Sequence, residues 1–272
     1  MGTAHSKDVT IYYEIFGQGT PLLLIAGWGA SGLSWEPAFI DALARNHRLI
    51  IVDNRGTGRS DKPDNEYSIP LMAEDCTSVL NDVGLESVHV LGASMGGLIA
   101  QDLALNNSKR VSSLILCCTS CGWRRRSPPS QRVFAGTFLN NLRMIRAQER
   151  LKLRFELLFT KNFLMKEWPR LEEHWRRLAE YPTPVYALRR QWKALTKYEC
   201  CRRLSEILMP TLVMGGDADQ LNPVARLKEL AQGIRGAELQ IYTGLGHGFI
   251  FEACEDVVSR IILFLKEKDR AS

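Results

Sequence analysis

A serine lies between small residues at a point where an apolar strand gives way to a helix. Residues 88–91 are a short apolar run, residues 98–105 have helical spacing, and residues 92–96 between them read G-A-S-M-G. This is the G-x-S-x-G pattern in the strand-to-helix context that presents a nucleophilic serine. The small residues let strand and helix approach closely, and the helix N-terminus favours an anion formed beside the serine. We therefore predict that Ser94 is a nucleophile.

A serine hydroxyl is a weak nucleophile without a neighbouring base, which is most often a histidine. Of the five histidines, His247 is the one in a glycine-flanked loop after a late apolar strand. His5 lies near a terminus that is expected to fray, and His47 and His89 lie at or in predicted strands, where structural roles suffice. The sequence therefore predicts that His247 is the general base.

The acid that orients this base is expected in the loop at residues 215–223, directly after the apolar run T-L-V-M. The loop carries two acids, Asp217 and Asp219. In a doubly wound sheet, such loops meet at the carboxyl ends of the strands. Either acid would give the chain order serine, aspartate, histidine, which is one of the known orders for this set of groups.

Alternating strands and helices are predicted on both sides of Ser94. Continuous apolar runs indicate parallel strands that are buried on both faces. The predicted strands are residues 9–16, 22–26, 48–53, 88–91, 111–118, 211–214 and 238–242. The predicted helices are residues 35–45, 67–83, 224–233 and 256–266, with another after Ser94. This alternation predicts a mostly parallel sheet with helices on both faces.

Residues 123–204 interrupt this alternation. They contain no strand-like apolar run, are rich in aromatic residues, and hold 20 Lys/Arg against 7 Asp/Glu. Helical spacing recurs, and Pro169, Pro182 and Pro184 are expected to divide the segment into several helices. The excess positive charge could favour an anionic substrate or partner, or it could belong to solvated helix faces. We predict a helical cap inserted after one strand.

Taken together, these motifs resemble those of the α/β-hydrolase fold family with a helical cap, over nearly the whole chain. The matching stretches are G-A-S-M-G-G at residues 92–97, D-N-R-G-T-G-R-S-D-K-P at 53–63, G-D-A-D at 216–219 with Pro223, and Gly246-His247. Small carboxylesterases, enol-lactonases and the cofactor-free haloperoxidase or perhydrolase group are the most similar members. The resemblance implies a doubly wound, mostly parallel eight-stranded sheet, with a core at residues 1–122 and 205–272 and an all-helical cap at 123–204.

The resemblance also assigns the acid. The family pattern G-x-x-D-x-x-x-P runs from Gly216 to Pro223 and has Asp219 at its acidic position. Asp217 then shapes the turn. Asp53, at the end of a different strand, is expected to organise the glycine-rich loop that follows it.

Two backbone N–H groups are expected to form an oxyanion hole. One belongs to Met95, directly after the nucleophile, and the other to Trp28, which occupies the matching position in the loop after the run L-L-L-I-A. The sequence departs from the family at Ala26, where a histidine commonly supports this loop through hydrogen bonds. The side chains of Trp28, Trp123 and His174 are predicted to contact substrate.

The seven cysteines do not form a recognisable metal or disulfide framework. Cys118 and Cys121 have the spacing of a redox or zinc half-site, but the sequence offers no second half-site to complete it. Cys117 and Cys118 end an apolar run, and buried free cysteine packs as a small apolar residue. We therefore expect thiols with a structural role.

The predicted site favours an enzyme that cleaves a carboxylic ester or lactone of a small, largely apolar substrate by a Ser-His-Asp mechanism. No metal or organic cofactor is implied. A carbon–carbon bond hydrolase or lyase on the same triad is an alternative, as is a hydrolase-derived small-molecule receptor. Dehalogenases and epoxide hydrolases are disfavoured because they resemble this fold with an aspartate nucleophile.

The remaining features describe the setting of this chemistry. The net charge is +5, and the sequence shows no nucleic-acid-binding motif, membrane-spanning stretch or secretory signal. We expect a soluble cytoplasmic protein whose partner is a small-molecule ester or lactone, with no nucleic acid and no membrane. The sequence does not specify an oligomeric state.

Overall fold

A computed structural model of the chain describes residues 1–122 and 147–269. Within these residues, eight strands form one sheet with the spatial order β1-β2-β4-β3-β5-β6-β7-β8. The strands are β1 (Gly2–Ser6), β2 (Val9–Phe16), β3 (Thr20–Ile25), β4 (His47–Val52), β5 (Val88–Ala93), β6 (Val111–Cys117), β7 (Thr211–Gly216) and β8 (Glu238–Tyr242).

Strands β4, β3, β5, β6, β7 and β8 lie side by side and run parallel. Strand β2 is antiparallel to both of its neighbours. The central strands are buried on both faces, which explains the continuous apolar runs that predicted them. The predicted mostly parallel sheet is confirmed. Because the parallel strands share one direction, the loops at their carboxyl ends open at the same edge of the sheet.

Helices cover both faces of the sheet. They are α1 (Pro37–Ala44), α2 (Ile69–Asp82), α3 (Met95–Asn106), α4 (Ala147–Leu158), α5 (Lys161–Leu178), α6 (Val185–Lys197), α7 (Val224–Gly233), α8 (Phe249–Glu252) and α9 (Cys254–Asp269). Buried side chains of α2, α3 and α7 pack on one face, and those of α1, α8 and α9 pack on the other. Among the described helices, we find none with the length and apolar character needed to cross a bilayer.

The N-terminus does not fray as expected. Residues 2–6 form β1, which pairs with β2 and places Gly2 opposite Tyr13. Ala4 and Ser6 are buried, and a side chain at Gly2 would meet the Tyr13 ring. The strand escapes sequence analysis because its inward positions carry small residues rather than the large apolar ones that mark a strand.

A helical insertion between β6 and β7 is confirmed, with α4, α5 and α6 in its described part. Pro182 and Pro184 separate α5 from α6 as predicted, but Pro169 lies inside α5. Proline removes one helix hydrogen bond, the one to the carbonyl four residues earlier, at Met165. The Met165 side chain is exposed, so this turn of the helix faces water that can hydrogen-bond the free carbonyl.

Part of the positive charge of the insertion is paired with acids of the core. Arg190 and Lys193 on α6 form ion pairs with Asp64 and Glu66, at 3.1 and 2.5 Å. Arg170 on α5 pairs with buried Glu36 at 2.5 Å. The two exposed pairs on α6 are each worth little in water, but they match a basic surface to an acidic one. They explain part of the uneven charge along the sequence.

A disulfide closes the base of the insertion. Cys121 is bonded to Cys201, and the two residues are 80 positions apart in the sequence. A short antiparallel bridge between Gly122 and Glu199 lies beside it. Cys117 and Cys118 are free and buried as expected, but the expectation of free thiols is wrong at Cys121. Its partner lies far away in sequence, so no spacing pattern indicates the bond.

Removing this disulfide should destabilise the fold. A closed loop of this length restricts the unfolded chain, and the double variant Cys121→Ser/Cys201→Ser should lose roughly 2–4 kcal/mol of unfolding free energy. Urea denaturation of the variant and of the oxidised parent measures the difference. Equal midpoints, with the parent shown by mass spectrometry to be oxidised, would contradict this expectation.

Candidate active site

Ser94 has a strained backbone at the junction of β5 and α3. Its φ is 55° and its ψ is −117°, in a region that non-glycine residues rarely adopt. A Cβ on Gly92 would collide with the carbonyl oxygen of Gly96, and a Cβ on Gly96 would collide with the carbonyl oxygen of Ile25. Only glycine fits at these two positions, so the G-x-S-x-G spacing is a packing requirement. The junction sets Ser94 at the carboxyl edge of the sheet.

Hydrogen bonds to the neighbouring strand hold the serine backbone in place. The Ser94 N–H donates to the carbonyl of Cys117 at 2.9 Å, and its own carbonyl accepts from the Thr119 hydroxyl at 2.7 Å. The Gly97 N–H also donates to the Ser94 carbonyl, at 2.9 Å. Both backbone groups of Ser94 are therefore satisfied despite its unusual conformation.

Asp219 and His247 meet at the same edge. His247 Nδ1 lies 2.7 Å from Asp219 Oδ2, and both side chains are buried. The other carboxylate oxygen accepts from the backbone N–H groups of Leu221 and Asn222, at 2.7 and 2.9 Å. These two bonds fix the carboxylate so that its free oxygen faces the imidazole. The pair is thereby oriented before any substrate arrives.

Of the two candidate acids, Asp219 contacts the histidine and Asp217 does not. The Asp217 carboxylate accepts from the Gly244 N–H at 2.6 Å and so ties its loop to the loop of His247. This matches the turn-shaping role expected for Asp217. The assignment of a catalytic role to Asp219 stays a prediction, and its contact with His247 supports it.

The electrostatic environment favours a charged His247. Burial by itself lowers the pKa of the ring, but the adjacent Asp219 carboxylate and the Cys118 sulfur outweigh it and hold the pKa well above its ordinary value. A base with a raised pKa accepts a proton readily once it has been deprotonated.

Cys118 is a site residue that sequence analysis missed. It follows β6 directly, has a φ of 43°, and is buried beside His247. Its N–H donates to the Met214 carbonyl at 2.8 Å, and its carbonyl accepts from the Asn222 side chain at 2.7 Å. Its place at the end of an apolar run suggested only packing, because the sequence does not reveal which loop residue faces the histidine.

The histidine loop is also held by the insertion. The Gly248 N–H donates to the carbonyl of Leu158, at the end of α4, at 2.7 Å. Glu252 accepts from the Gly246 N–H at 3.0 Å and from the Thr160 hydroxyl at 2.5 Å. The loop that carries His247 is therefore bonded to the segment between α4 and α5.

The predicted oxyanion loop lies against Ser94. A Cβ built on Gly27 would be 3.2 Å from Ser94 Cβ and 3.7 Å from Ser94 Oγ. The Ala30 N–H donates to the Gly27 carbonyl at 3.2 Å, which closes a turn with Trp28 and Gly29 at its centre. Met95 is the first residue of α3, as the prediction for the second N–H requires.

Core side chains support this loop in place of the usual histidine. The Asn54 amide donates to the Ala26 carbonyl at 3.0 Å, and Asp53 accepts from the Gly32 N–H at 2.6 Å. Asp53 also accepts from the Arg59 N–H at 2.8 Å, within the glycine-rich loop that it was expected to organise. Burial raises the pKa of Asp53, and these two N–H groups oppose that rise.

The oxyanion loop is also supported by helix α6 of the insertion. The Trp28 indole donates to the Leu188 carbonyl at 2.9 Å, and its ring meets Trp192 edge-on at 5.5 Å. The Gly29 N–H donates to the Gln191 side chain at 2.8 Å. Gln191 also escaped sequence analysis, since a single glutamine in a basic helix has no distinguishing pattern.

Two further residues, Trp123 and His174, were predicted to contact substrate. Trp123 lies outside the described residues. His174 is buried, with Nδ1 2.9 Å from Arg177 Nη2 and its ring against Phe251. Burial and, next, Arg177 lower its pKa. The ring of His174 packs α5 against α8, and its contact with substrate stays a prediction.

A hydrogen-bonded serine–histidine–aspartate chain lies near the amino ends of β5 and β6, at the opposite edge of the sheet from Ser94. Ser113 Oγ is 2.8 Å from His89 Nδ1, and His89 Nε2 is 2.9 Å from Asp269. Ser113 is fully buried, so no substrate can reach it. This chain ties the end of α9 to the sheet. Hydrogen bonding alone therefore does not identify a nucleophile.

The described residues include one group close enough to bind a metal. It consists of Cys121, Cys201 and Glu229, whose potential ligand atoms lie within 4.8 Å of one another. Both sulfurs are consumed by the disulfide, so this group does not offer two thiolates.

Comparison with known proteins gives the family. The family profile described as alpha/beta hydrolase fold matches residues 20–253, and the protein therefore belongs to the α/β-hydrolase fold family. A protein of Azorhizobium caulinodans with the name "Putative carbamate hydrolase RutD" is 33% identical over 256 residues, which cover 92% of each chain.

Solved structures agree with this assignment. The esterase EaEST from Exiguobacterium antarcticum has a TM-score of 0.84 at 26% identity, covering 98% of this chain and 100% of that chain. The enol-lactonase from Burkholderia xenovorans has a TM-score of 0.83 at 22% identity, covering 97% and 100%, and shows the fold alone. The resemblance inferred from the motifs is confirmed.

The two aspartates can be distinguished by titration. In Asp219→Asn, the largest influence that raises the pKa of His247 is removed while burial still lowers it, so this pKa should fall. In the matched control Asp217→Asn, it should stay raised. NMR titration of the histidine ring nitrogens measures both. An unchanged pKa in Asp219→Asn, or a fall in Asp217→Asn, would refute the arrangement.

Proposed function

We propose that the protein is a serine hydrolase that cleaves a carboxylic ester or lactone of a small, largely apolar substrate. The observation that carries this proposal is the oriented Asp219–His247 pair, at the sheet edge where the strained turn presents Ser94. A hydrolytic activity is also consistent with the family. The catalytic roles that follow are part of the proposal.

The first half of the reaction acylates the enzyme. Ser94 Oγ attacks the carbonyl carbon while its proton passes to His247 Nε2, and Asp219 stabilises the imidazolium through Nδ1–H. The carbonyl oxygen becomes an oxyanion that accepts hydrogen bonds from the N–H groups of Trp28 and Met95. As the tetrahedral intermediate collapses, the bond to the leaving alkoxide breaks, and His247 returns the proton to that oxygen.

The second half restores the enzyme. His247 removes a proton from water, the hydroxide attacks the acyl carbon, and the carboxylic acid leaves as Ser94 regains its proton. With a lactone, the released alcohol and the acid are parts of one hydroxy acid. No redox step or external group is needed to balance either half.

Residues of the insertion support an apolar substrate. Phe155 in α4, Phe159 just after it and Leu171 in α5 form a small buried cluster next to Phe251 and the histidine loop. Aromatic rings so close to the reacting groups suit an apolar acyl or alcohol portion.

The name of the Azorhizobium caulinodans relative favours a second candidate, the hydrolysis of a carbamate. A carbamate presents the same kind of carbonyl to the three groups, and the intermediate would be a carbamoyl serine. Comparing kcat/KM for a p-nitrophenyl ester, a γ-lactone and an aryl carbamate of equal size separates the two candidates. A carbon–carbon bond hydrolase or a receptor would turn over none of them efficiently.

The assignment of Ser94 as the nucleophile can be tested by comparing Ser94→Ala with a variant of the buried Ser113. Ser94→Ala should lower p-nitrophenyl butyrate turnover by roughly a thousandfold or more and abolish labelling by a fluorophosphonate. Ser113→Ala, which removes the serine that is hydrogen-bonded to His89, should keep labelling and activity. Labelled Ser94→Ala protein, or undiminished turnover in it, would refute the proposal.

The pH dependence follows from the raised pKa of His247. Catalysis needs the neutral imidazole, so kcat/KM should rise with pH as the ring loses its proton, with an apparent pKa above 6.5. Ester hydrolysis measured from pH 5 to 10 gives this profile. An apparent pKa below 6.5 would contradict the assigned base.

A further inference from the structure

We propose that Gln191, on helix α6 of the insertion, is a positioning residue that sets the conformation of the oxyanion loop. The inference rests on the proposed function, because it assumes that the Trp28 N–H stabilises an oxyanion. It concerns the loop support that the family commonly draws from a histidine, which here is replaced by Ala26.

Gln191 is a fully buried amide with both ends bonded. Its Oε1 accepts from the Gly29 N–H at 2.8 Å, and its Nε2 donates to the Arg55 carbonyl at 2.9 Å. An N–H faces the oxygen and a carbonyl faces the nitrogen, so the partners define the amide orientation. Burying such a group is costly without these bonds, so it occupies this site only because both partners are in place.

The contact with Gly29 acts on the central peptide of the turn. Gly29 has a φ of 63°, and the peptide between Trp28 and Gly29 lies in the middle of the turn closed by Gly27 and Ala30. Rotation of this peptide would turn the Trp28 carbonyl and the Gly29 N–H and would change ψ of Trp28 and φ of Gly29, so the turn that carries the Trp28 N–H would take another shape. A bond to the Gly29 N–H opposes this rotation. It therefore keeps the loop in one conformation beside Ser94.

The contact with Arg55 makes this support rigid. The Arg55 guanidinium forms two hydrogen bonds of 2.6 Å with the Asp75 carboxylate, and both side chains are buried. The carbonyl that holds Gln191 therefore belongs to a fixed part of the core. Gln191 spans from this fixed point to the oxyanion loop, in the way that a supporting side chain orients a group that performs chemistry.

The same helix contacts the loop a second time. The Trp28 indole donates to the Leu188 carbonyl, one turn before Gln191, and its ring packs on Trp192. A side chain at Gly29 would collide with Leu188, so loop and helix are closely fitted. Helix α6, which belongs to the insertion proposed to enclose the substrate, therefore also helps to position the Trp28 N–H.

The first test removes both bonds with little change in volume. Gln191→Leu should lower kcat for p-nitrophenyl butyrate on the order of 10- to 100-fold with KM nearly unchanged, because a small displacement of a donor weakens only the transition state. Its affinity for a trifluoromethyl ketone, which forms a tetrahedral adduct, should fall by a similar factor. Lys193→Gln, on the exposed face of the same helix, is the matched control and should keep parental kcat.

A second variant separates positioning from folding. In Gln191→Glu, a protonated carboxyl can still accept from Gly29 and donate to the Arg55 carbonyl, whereas the ionised form loses its donor. The ratio of its kcat to that of the parent should therefore fall about tenfold as pH rises and the buried carboxyl ionises. A role limited to stability would give a ratio independent of pH.

The outcomes distinguish this inference from the proposed function. Complete fluorophosphonate labelling of Ser94 together with a kcat within twofold of the parent in Gln191→Leu would overturn the role of Gln191 alone. A pH-independent ratio for Gln191→Glu would also overturn it. Absence of labelling in the parent protein would instead refute the proposed nucleophile.

Discussion

The left-handed backbone of Ser94 is the constraint on which the site depends. An L-residue adopts this conformation at a cost of about 1–3 kcal/mol, and surrounding contacts must hold it there. Here β5 and α3 approach so closely that Gly92 and Gly96 admit no side chain, and the Ser94 backbone is bonded to Cys117 and Thr119. The strain therefore rests on β5 and β6, whose residues are almost all buried. A nucleophile mounted in this way has little freedom to turn back into the sheet.

The groups around Ser94 are held from two sides. The core fixes the Asp219 carboxylate through the backbone of its own loop, and it fixes Arg55 through Asp75. The insertion reaches the same edge from above: Leu158 binds the histidine loop and Gln191 binds the oxyanion loop. Helices of the insertion thus support the loops that we propose to act on the substrate. Sequence changes in the insertion can therefore alter the rate of reaction as well as the choice of substrate.

Short sequence patterns predicted the parts of the structure that depend on interactions between residues close together in the sequence. Buried parallel strands appear in the sequence as apolar runs, and the turn from β5 to α3 at Ser94 appears as glycines at fixed spacing. Both patterns are visible because burial of a strand and close packing at a turn each constrain only a few neighbouring residues. Gln191 and the Cys121–Cys201 bond could not be predicted in this way, since their partners lie far away in sequence. Strand β1 was missed for another reason: its inward residues are too small to give an apolar signal. Asp219 required the family pattern, since spacing alone left Asp217 open.

The central claim is that an oxyanion formed on Ser94 is stabilised by the N–H groups of Trp28 and Met95. The most direct test is a crystal structure of the protein after reaction with an alkyl fluorophosphonate. We expect phosphorus bonded to Ser94 Oγ and the phosphoryl oxygen about 2.7–3.1 Å from both nitrogens. A phosphonate bonded to any other residue, or a phosphoryl oxygen directed away from these two N–H groups, would contradict the account.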